Sequence, residues 1–144
     1  MPPWCVQGSE AMKLFVYGTL RSGAPMHGLL AGDAHPLGPA RAHACLLDLG
    51  HFPGLVHARA ESDWVMGELF EVSAEAAAAL MDRLDRYEGD AFVRQEHEVL
   101  DPEGAPVSAW VYLYVGDPSG GLQVDSGDWL AHLHAARQRE LPLD

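Results

Sequence analysis

Basic residues are scarce in this chain of 144 residues, and Lys13 is its only lysine. Nine Lys and Arg stand against 21 Asp and Glu, which gives a formal net charge of −12 at pH 7. A field of this sign repels a phosphate backbone, so we do not expect nucleic acid as a partner. The same field favours a substrate that has a cationic portion, such as an amine.

Cysteines and long apolar runs are also few. Cys5 and Cys45 are the two cysteines, and their spacing does not fit a metal site. Cys5 lies in the N-terminal segment that we expect to be a flexible extension, so no structural disulfide is expected. Cys45 lies in an apolar run, so we expect it to pack as a small buried side chain. No apolar stretch approaches the ~18 residues that a membrane-spanning helix needs, so no membrane association is expected.

The first eleven residues lack the basic start and the apolar middle of a secretion signal. We predict that residues 1–11 form a flexible N-terminal extension and that residues 12–144 form one domain. The expected compartment is the cytoplasm.

Three common catalytic patterns are missing as well. The eight histidines include no HExxH pair, and His132 and His134 diverge on a helix, so no metal site is predicted. Ser22 is not part of a GxSxG nucleophile turn. The loop around it lacks the GK[ST] ending of a nucleotide-binding P-loop.

The chain does contain an apolar strand, Leu14 to Tyr17, that stops abruptly at Gly18. Backbone amides of Gly18, Thr19 and Leu20 then point beyond the strand end, where they can hold a carboxylate or a developing oxyanion. The alternative is an ordinary strand end whose amides meet water.

Further strands are predicted at residues 41–49, 55–57, 64–72, 92–100 and 107–115, with a turn over residues 50–54. Gly67 marks a bulge or a close backbone approach. Residues 101–106 are typical of a hairpin turn between the last two strands. Both faces of strand 107–115 are apolar or aromatic, which favours a closed sheet over a flat one. The predicted fold class is α+β, a small curved, mixed but mainly antiparallel, barrel-like sheet with flanking helices, one of them capped by Asp128.

The clearest helix runs over residues 74–88, with Ser73 as its N-cap and Gly89 just beyond its end. Its apolar stripe comprises Ala77, Leu80, Met81, Leu84 and Tyr87. Glu88 falls inside this stripe, where an acid is unexpected. Burial and the negative end of the helix dipole both raise the pKa of its carboxyl group, which suits proton transfer. The alternatives are that Glu88 turns to water or pairs with Arg94.

Several segments together resemble the γ-glutamylcyclotransferase-like family, over residues 13–133 of the chain. They are FVYGTLRSG from residue 15, HFPGL from residue 51, VMGELFEV from residue 65, LDRYEG from residue 84, AWVY from residue 109 and GDW from residue 127.

This resemblance implies a γ-glutamylcyclotransferase-like fold and a cofactor-independent reaction on a small-molecule γ-glutamyl substrate. The α-amine of the substrate attacks its own γ-carbonyl, which yields 5-oxoproline and a released amine or amino acid. A domain of the same fold that binds a small ligand without turnover is the alternative.

The resemblance also implies roles for individual residues. Glu88 would be the general acid/base. Substrate contacts would come from Tyr17, Gly18, Thr19, Leu20 and Tyr112, although Tyr112 also suits simple core packing. Arg21 either helps to bind the substrate carboxylate or is a solvated loop charge. Relatives commonly have tyrosine where this chain has Phe92, so the hydrogen bond of that hydroxyl group is missing.

Overall fold

The computed structural model describes residues 12–18, 20–21, 27–30, 34–50 and 52–140. The extension predicted for residues 1–11 lies outside the described residues. The strands are β1 (Met12–Val16), β2 (Ala34–Asp48), β3 (Pro53–His57), β4 (Trp64–Val72), β5 (Phe92–Leu100), β6 (Pro106–Tyr114) and β7 (Leu122–Gln123). The helices are α1 (Ala74–Glu88) and α2 (Trp129–Glu140), and short 3-10 turns occupy His27–Leu30 and Pro118–Gly120.

Five of the strands close into a barrel. In sheet order they are β2, β4, β1, β6 and β5. Contacts of Arg41 with Leu100 and of Ala42 with Val99 join β5 back to β2. The pairing of β1 with β6 is parallel, and the others in the ring are antiparallel. The predicted barrel-like α+β fold is therefore confirmed.

Local sequence signals predicted α1 and β4 with their observed bounds. The Ser73 hydroxyl oxygen accepts a hydrogen bond from the Ala76 backbone N–H at 3.2 Å, which caps α1. Gly89 ends the helix with φ of 80°, a conformation that glycine adopts without strain. Asp128 caps α2 as predicted, accepting a hydrogen bond from the Ala131 N–H at 3.2 Å.

Four strands begin earlier than predicted: β1 by two residues, β6 by one, and β2 and β3 as follows. β2 begins at Ala34 rather than at residue 41, and its pairing with β4 shifts register between Pro36 and Gly38. Gly38 has φ of 121°, so the bulge uses a backbone conformation that other residues rarely adopt. β3 already begins at Pro53, which makes the predicted turn over residues 50–54 shorter.

The side chains of β1 alternate between two apolar cores. Phe15 and Tyr17 point into the barrel, whereas Leu14 and Val16 pack with the buried face of α1 on its outside. Gly67 of β4 allows this arrangement, because a Cβ there would collide with the Val16 carbonyl oxygen and the Phe15 ring. The predicted close backbone approach at Gly67 is confirmed.

Cys45 is buried in the structure, as predicted. None of the described helices is both long enough and apolar enough to cross a membrane.

Candidate active site

A cavity of about 280 Å³ opens where β1 ends, between the C-terminus of α1 and the turn before β3. Its wall includes five of the six residues singled out from the sequence, namely Tyr17, Gly18, Leu20, Glu88 and Tyr112. The sixth, Thr19, lies outside the described residues. Residues separated by as much as 95 positions in the chain therefore meet at one hollow.

The absence of a side chain at Gly18 lets the turn after β1 reach this cavity. A Cβ at this position would lie 2.5 Å from Cγ of Pro53, so a larger residue would push the turn away from the start of β3. The Gly18 carbonyl accepts a hydrogen bond from the Arg21 N–H at 3.0 Å, which tightens the turn. Gly18, which can contribute only backbone, and Leu20 thus form part of the cavity wall.

Glu88, the last residue of α1, is half-buried and lines the same cavity. Burial raises the pKa of its carboxyl group from 4.5 to about 7. The helix does not fray before this residue, because the Gly89 N–H donates to the Asp85 carbonyl at 3.0 Å. The alternatives of a water-facing Glu88 and of a Glu88–Arg94 ion pair are both wrong.

Arg94 is bound instead to Asp85, one helical turn before Glu88. Its Nε lies 3.0 Å from Oδ1 of Asp85, and its Nη2 lies 3.1 Å from Oδ2. The Tyr112 hydroxyl donates to Oδ1 of Asp85 at 2.6 Å, and the Arg94 guanidinium lies 5.2 Å from the centre of the Trp110 ring. The hydrogen bonds from Arg94, and then that from Tyr112, lower the pKa of Asp85.

This network fastens the last turn of α1 to the β5–β6 hairpin and so sets the position of Glu88. The sequence interpretation did not identify Asp85. The available signal was an acid three residues before Glu88 together with Arg94 on the strand that follows the helix.

Two of the tyrosines that line the cavity, Tyr17 and Tyr112, have hydrogen-bonded hydroxyl groups. The Tyr17 hydroxyl donates to the Tyr112 carbonyl at 2.7 Å, and the Leu55 backbone also hydrogen-bonds to it. Burial, and then the charge of Glu88, raise the pKa of Tyr17, while burial, and then the bond to Asp85, raise that of Tyr112. Both side chains are therefore neutral at physiological pH and present mainly their rings to the cavity.

Arg21 is held by an ion pair. Its Nη1 lies 2.9 Å from Oδ1 of Asp128, and 14% of its side chain is exposed. The interpretation of Arg21 as a solvated loop charge is wrong, and Arg21 is not among the residues that line the cavity.

Aromatic side chains surround the open side of the cavity. Phe52 and Tyr87 are 39% and 38% exposed, and Phe92 lies beside Phe52 with ring centres 6.0 Å apart. The Phe92 ring also contacts Tyr114 edge-on at 5.5 Å. Tyr87 was predicted to share the apolar stripe of α1; it lines the cavity but is not among the buried residues of that stripe.

Comparisons with known proteins show the family and the fold of the chain. A family model described as gamma-glutamyl cyclotransferase, AIG2-like, matches residues 14–131. The gamma-glutamylcyclotransferase family protein YtfP of Escherichia coli K12 is 32% identical over 126 residues, which are 83% of this chain and 96% of YtfP. The solution structure of ytfP from Escherichia coli aligns with a TM-score of 0.58 over 84% of this chain and 98% of that structure.

Two further relatives extend the comparison. Gamma-L-glutamyl-butirosin B gamma-glutamyl cyclotransferase of Niallia circulans is 34% identical over 122 residues, covering 81% of this chain and 74% of the relative. The crystal structure of YkqA from Bacillus subtilis aligns at 25% identity with a TM-score of 0.73. That alignment covers 90% of this chain but 44% of YkqA, so the chain spans less than half the length of that protein.

Proposed function

The chain belongs to the gamma-glutamyl cyclotransferase, AIG2-like family and is an enzyme of the γ-glutamylcyclotransferase type, and from this premise we propose a specific reaction for the cavity. A small-molecule γ-glutamyl compound binds between β1 and α1. It leaves as 5-oxoproline and a free amine or amino acid.

The reaction is an intramolecular acyl transfer. The α-amine nitrogen of the substrate forms a bond to its γ-carbonyl carbon, and the bond from that carbon to the leaving nitrogen breaks. Because attacker and target belong to one molecule, the enzyme mainly has to hold the glutamyl chain folded for attack and to move protons. A cavity of about 280 Å³ with a buried, mainly apolar wall is suited to hold a chain of this size.

Glu88 is the proposed general acid/base, and its environment is the observation that carries the proposal. Its carboxyl group lines the cavity, has a pKa of about 7, and is paired with no cation among the described residues. Such a group accepts the proton of the α-ammonium group and returns a proton to the leaving nitrogen.

The turn after β1 is the proposed site for the glutamyl head or the developing oxyanion. Gly18 and Leu20 line the cavity, and Thr19 enters the proposal through the resemblance of the YGTL segment to the family motif. In other acyl-transfer enzymes one such donor contributes about 3 kcal/mol to transition-state stabilisation. The rings of Tyr17 and Tyr112 would form the wall that keeps the substrate folded.

The test measures 5-oxoproline formation from a panel of γ-glutamyl amides and γ-glutamyl amino acids, using chromatography with mass detection. Glu88→Gln is expected to lose about 100-fold or more of the activity, the scale of general acid–base catalysis. Glu75→Gln, an exposed acid in the first turn of the same helix, is the matched control.

Activity that survives Glu88→Gln would contradict the role of this residue. Binding of the panel by calorimetry without any 5-oxoproline would instead identify a ligand-binding domain and contradict the proposed reaction.

A further inference from the structure

The two ends of the cavity differ in chemistry. At the inner end lie the buried Tyr17, Gly18 and Leu20. At the outer end lie Phe52, Tyr87 and Phe92, which we name the aromatic rim. Of the large hydrophobic side chains that are exposed in the described part of the chain, the aromatic ones are Phe52 and Tyr87, and both belong to this rim.

Exposed aromatic surface at the entrance of a concave site is typical of a surface that contacts an apolar ligand group. Phe92 adds a ring without a hydroxyl group, held between Phe52 and Tyr114 by edge contacts at 6.0 and 5.5 Å. Phe52 and Phe92 therefore offer rings that pack against other rings and carry no hydrogen-bonding group, and Tyr87 is the rim residue with a hydroxyl group.

The charged groups around the cavity also favour an apolar ligand group without a negative charge. Its ionisable carboxylate is Glu88, and no lysine or arginine side chain that the structure describes lines the wall. Arg21 follows the wall residue Leu20 but is bound to Asp128, and Arg94 is bound to Asp85. A carboxylate on the leaving group would thus lie near an acid without a compensating cation, which is unfavourable.

The direction of substrate binding follows from this asymmetry. If the glutamyl head occupies the buried end at Gly18, the group beyond the scissile amide bond extends toward the aromatic rim. We propose that the released amine carries an aromatic or other apolar group and no carboxylate. This inference rests on the proposed function and assigns Phe52 and Phe92 as residues that determine its substrate class.

Three compounds test the inference one feature at a time. γ-Glutamylphenethylamide carries a ring and no second carboxylate, γ-glutamylphenylalanine adds only the carboxylate, and γ-glutamylethylamide removes only the ring. We expect kcat/KM for the phenethylamide to exceed that for each of the others by about tenfold, the scale of partial burial of one phenyl ring or of one unpaired charge.

Variants locate the preference in the rim. Phe52→Ala is expected to reduce the ratio of kcat/KM for the phenethylamide to that for the ethylamide by about fivefold, the scale of losing one wall of an apolar contact. Leu122→Ala removes another exposed apolar side chain, on β7 and away from the cavity, and is expected to keep the ratio.

The outcomes separate the two proposals. Production of 5-oxoproline from all three compounds at similar kcat/KM, or best from γ-glutamylphenylalanine, would overturn the inference and leave the proposed function standing. Binding of all three compounds without 5-oxoproline would overturn the proposed function, and the inference with it. Retention of the wild-type ratio in Phe52→Ala would overturn the assignment of the rim.

Discussion

Replacing Glu88 with glutamine is expected to stabilise the fold at pH 8 but not at pH 4. Burial moves the pKa of this carboxyl group from 4.5 to about 7 in the folded protein. A tenfold change in an ionisation equilibrium corresponds to about 1.4 kcal/mol, so holding Glu88 ionised in the cavity costs up to about 3 kcal/mol of folding free energy.

The sign follows from proton binding. Between pH 4.5 and about 7 the folded protein keeps a proton on Glu88 that the unfolded chain has already released. The folded state binds more protons in this range, so the free energy of unfolding falls as the pH rises. The cost is absent below pH 4.5 and complete above pH 7, and glutamine removes it because it does not ionise.

Urea unfolding of the wild type and of Glu88→Gln at pH 4 and pH 8 measures this difference. We expect the two proteins to differ by less than about 0.5 kcal/mol at pH 4 and the variant to be more stable by up to about 3 kcal/mol at pH 8. Glu98→Gln, which changes an exposed acid on β5, is the control and should show no such pH dependence. An equal stability gap for Glu88→Gln at both pH values would refute the argument that its charge is buried.

Three other measurements address the site and its support. The value of kcat/KM for 5-oxoproline formation is expected to rise with pH through about 7, because Glu88 must be ionised to accept the substrate proton. Tyr112→Phe removes a 2.6 Å hydrogen bond to a carboxylate and should lower the free energy of unfolding by about 2 kcal/mol. Tyr114→Phe removes an exposed 3.2 Å hydrogen bond and should lower the free energy of unfolding by less than about 0.5 kcal/mol. Gly67→Ala places a Cβ against backbone and an aromatic ring and should lower the free energy of unfolding by about 2 kcal/mol or more. In the control Gly120→Ala the added Cβ contacts nothing, so a smaller loss is expected.

Each of these expectations can fail in a distinct way. A pH-independent rate would remove Glu88 from the role of base. Equal stability losses in the two tyrosine variants would mean that the bond from Tyr112 to Asp85 contributes no more than an exposed one. Equal losses in the two glycine variants would contradict the close approach of β4 and β1.

The elements that the sequence predicted well are those whose signals are local. The cap at Ser73, the run of alanines and Gly89 lie within one short segment, so the bounds of α1 could be read from the chain. The inward position of Glu88 followed from the same helical period, which a regular α-helix preserves to its last turn.

The features that sequence reasoning missed depend on partners distant in the chain. The start of β2 contains Pro36, Gly38 and Pro39, which normally interrupt a strand, and pairing with β4 carries the strand through a bulge at this point. Arg94 was considered as a partner for Glu88, but the register of the β5–β6 hairpin places it against Asp85. Neither outcome is encoded in neighbouring residues.

The parallel pairing of Leu14 on β1 with Trp110 on β6 has a consequence during biosynthesis. A ribosome makes the first strand early, yet this strand gains one of its two neighbours only after most of the domain has been translated. The nascent chain therefore contains Glu88 before Tyr112 has been synthesised. Until then the cavity lacks the part of its wall that Tyr112 forms. Ligand binding would consequently require that the whole domain has been synthesised and that the barrel has closed. A fragment that stops before β6 would be unable to bind.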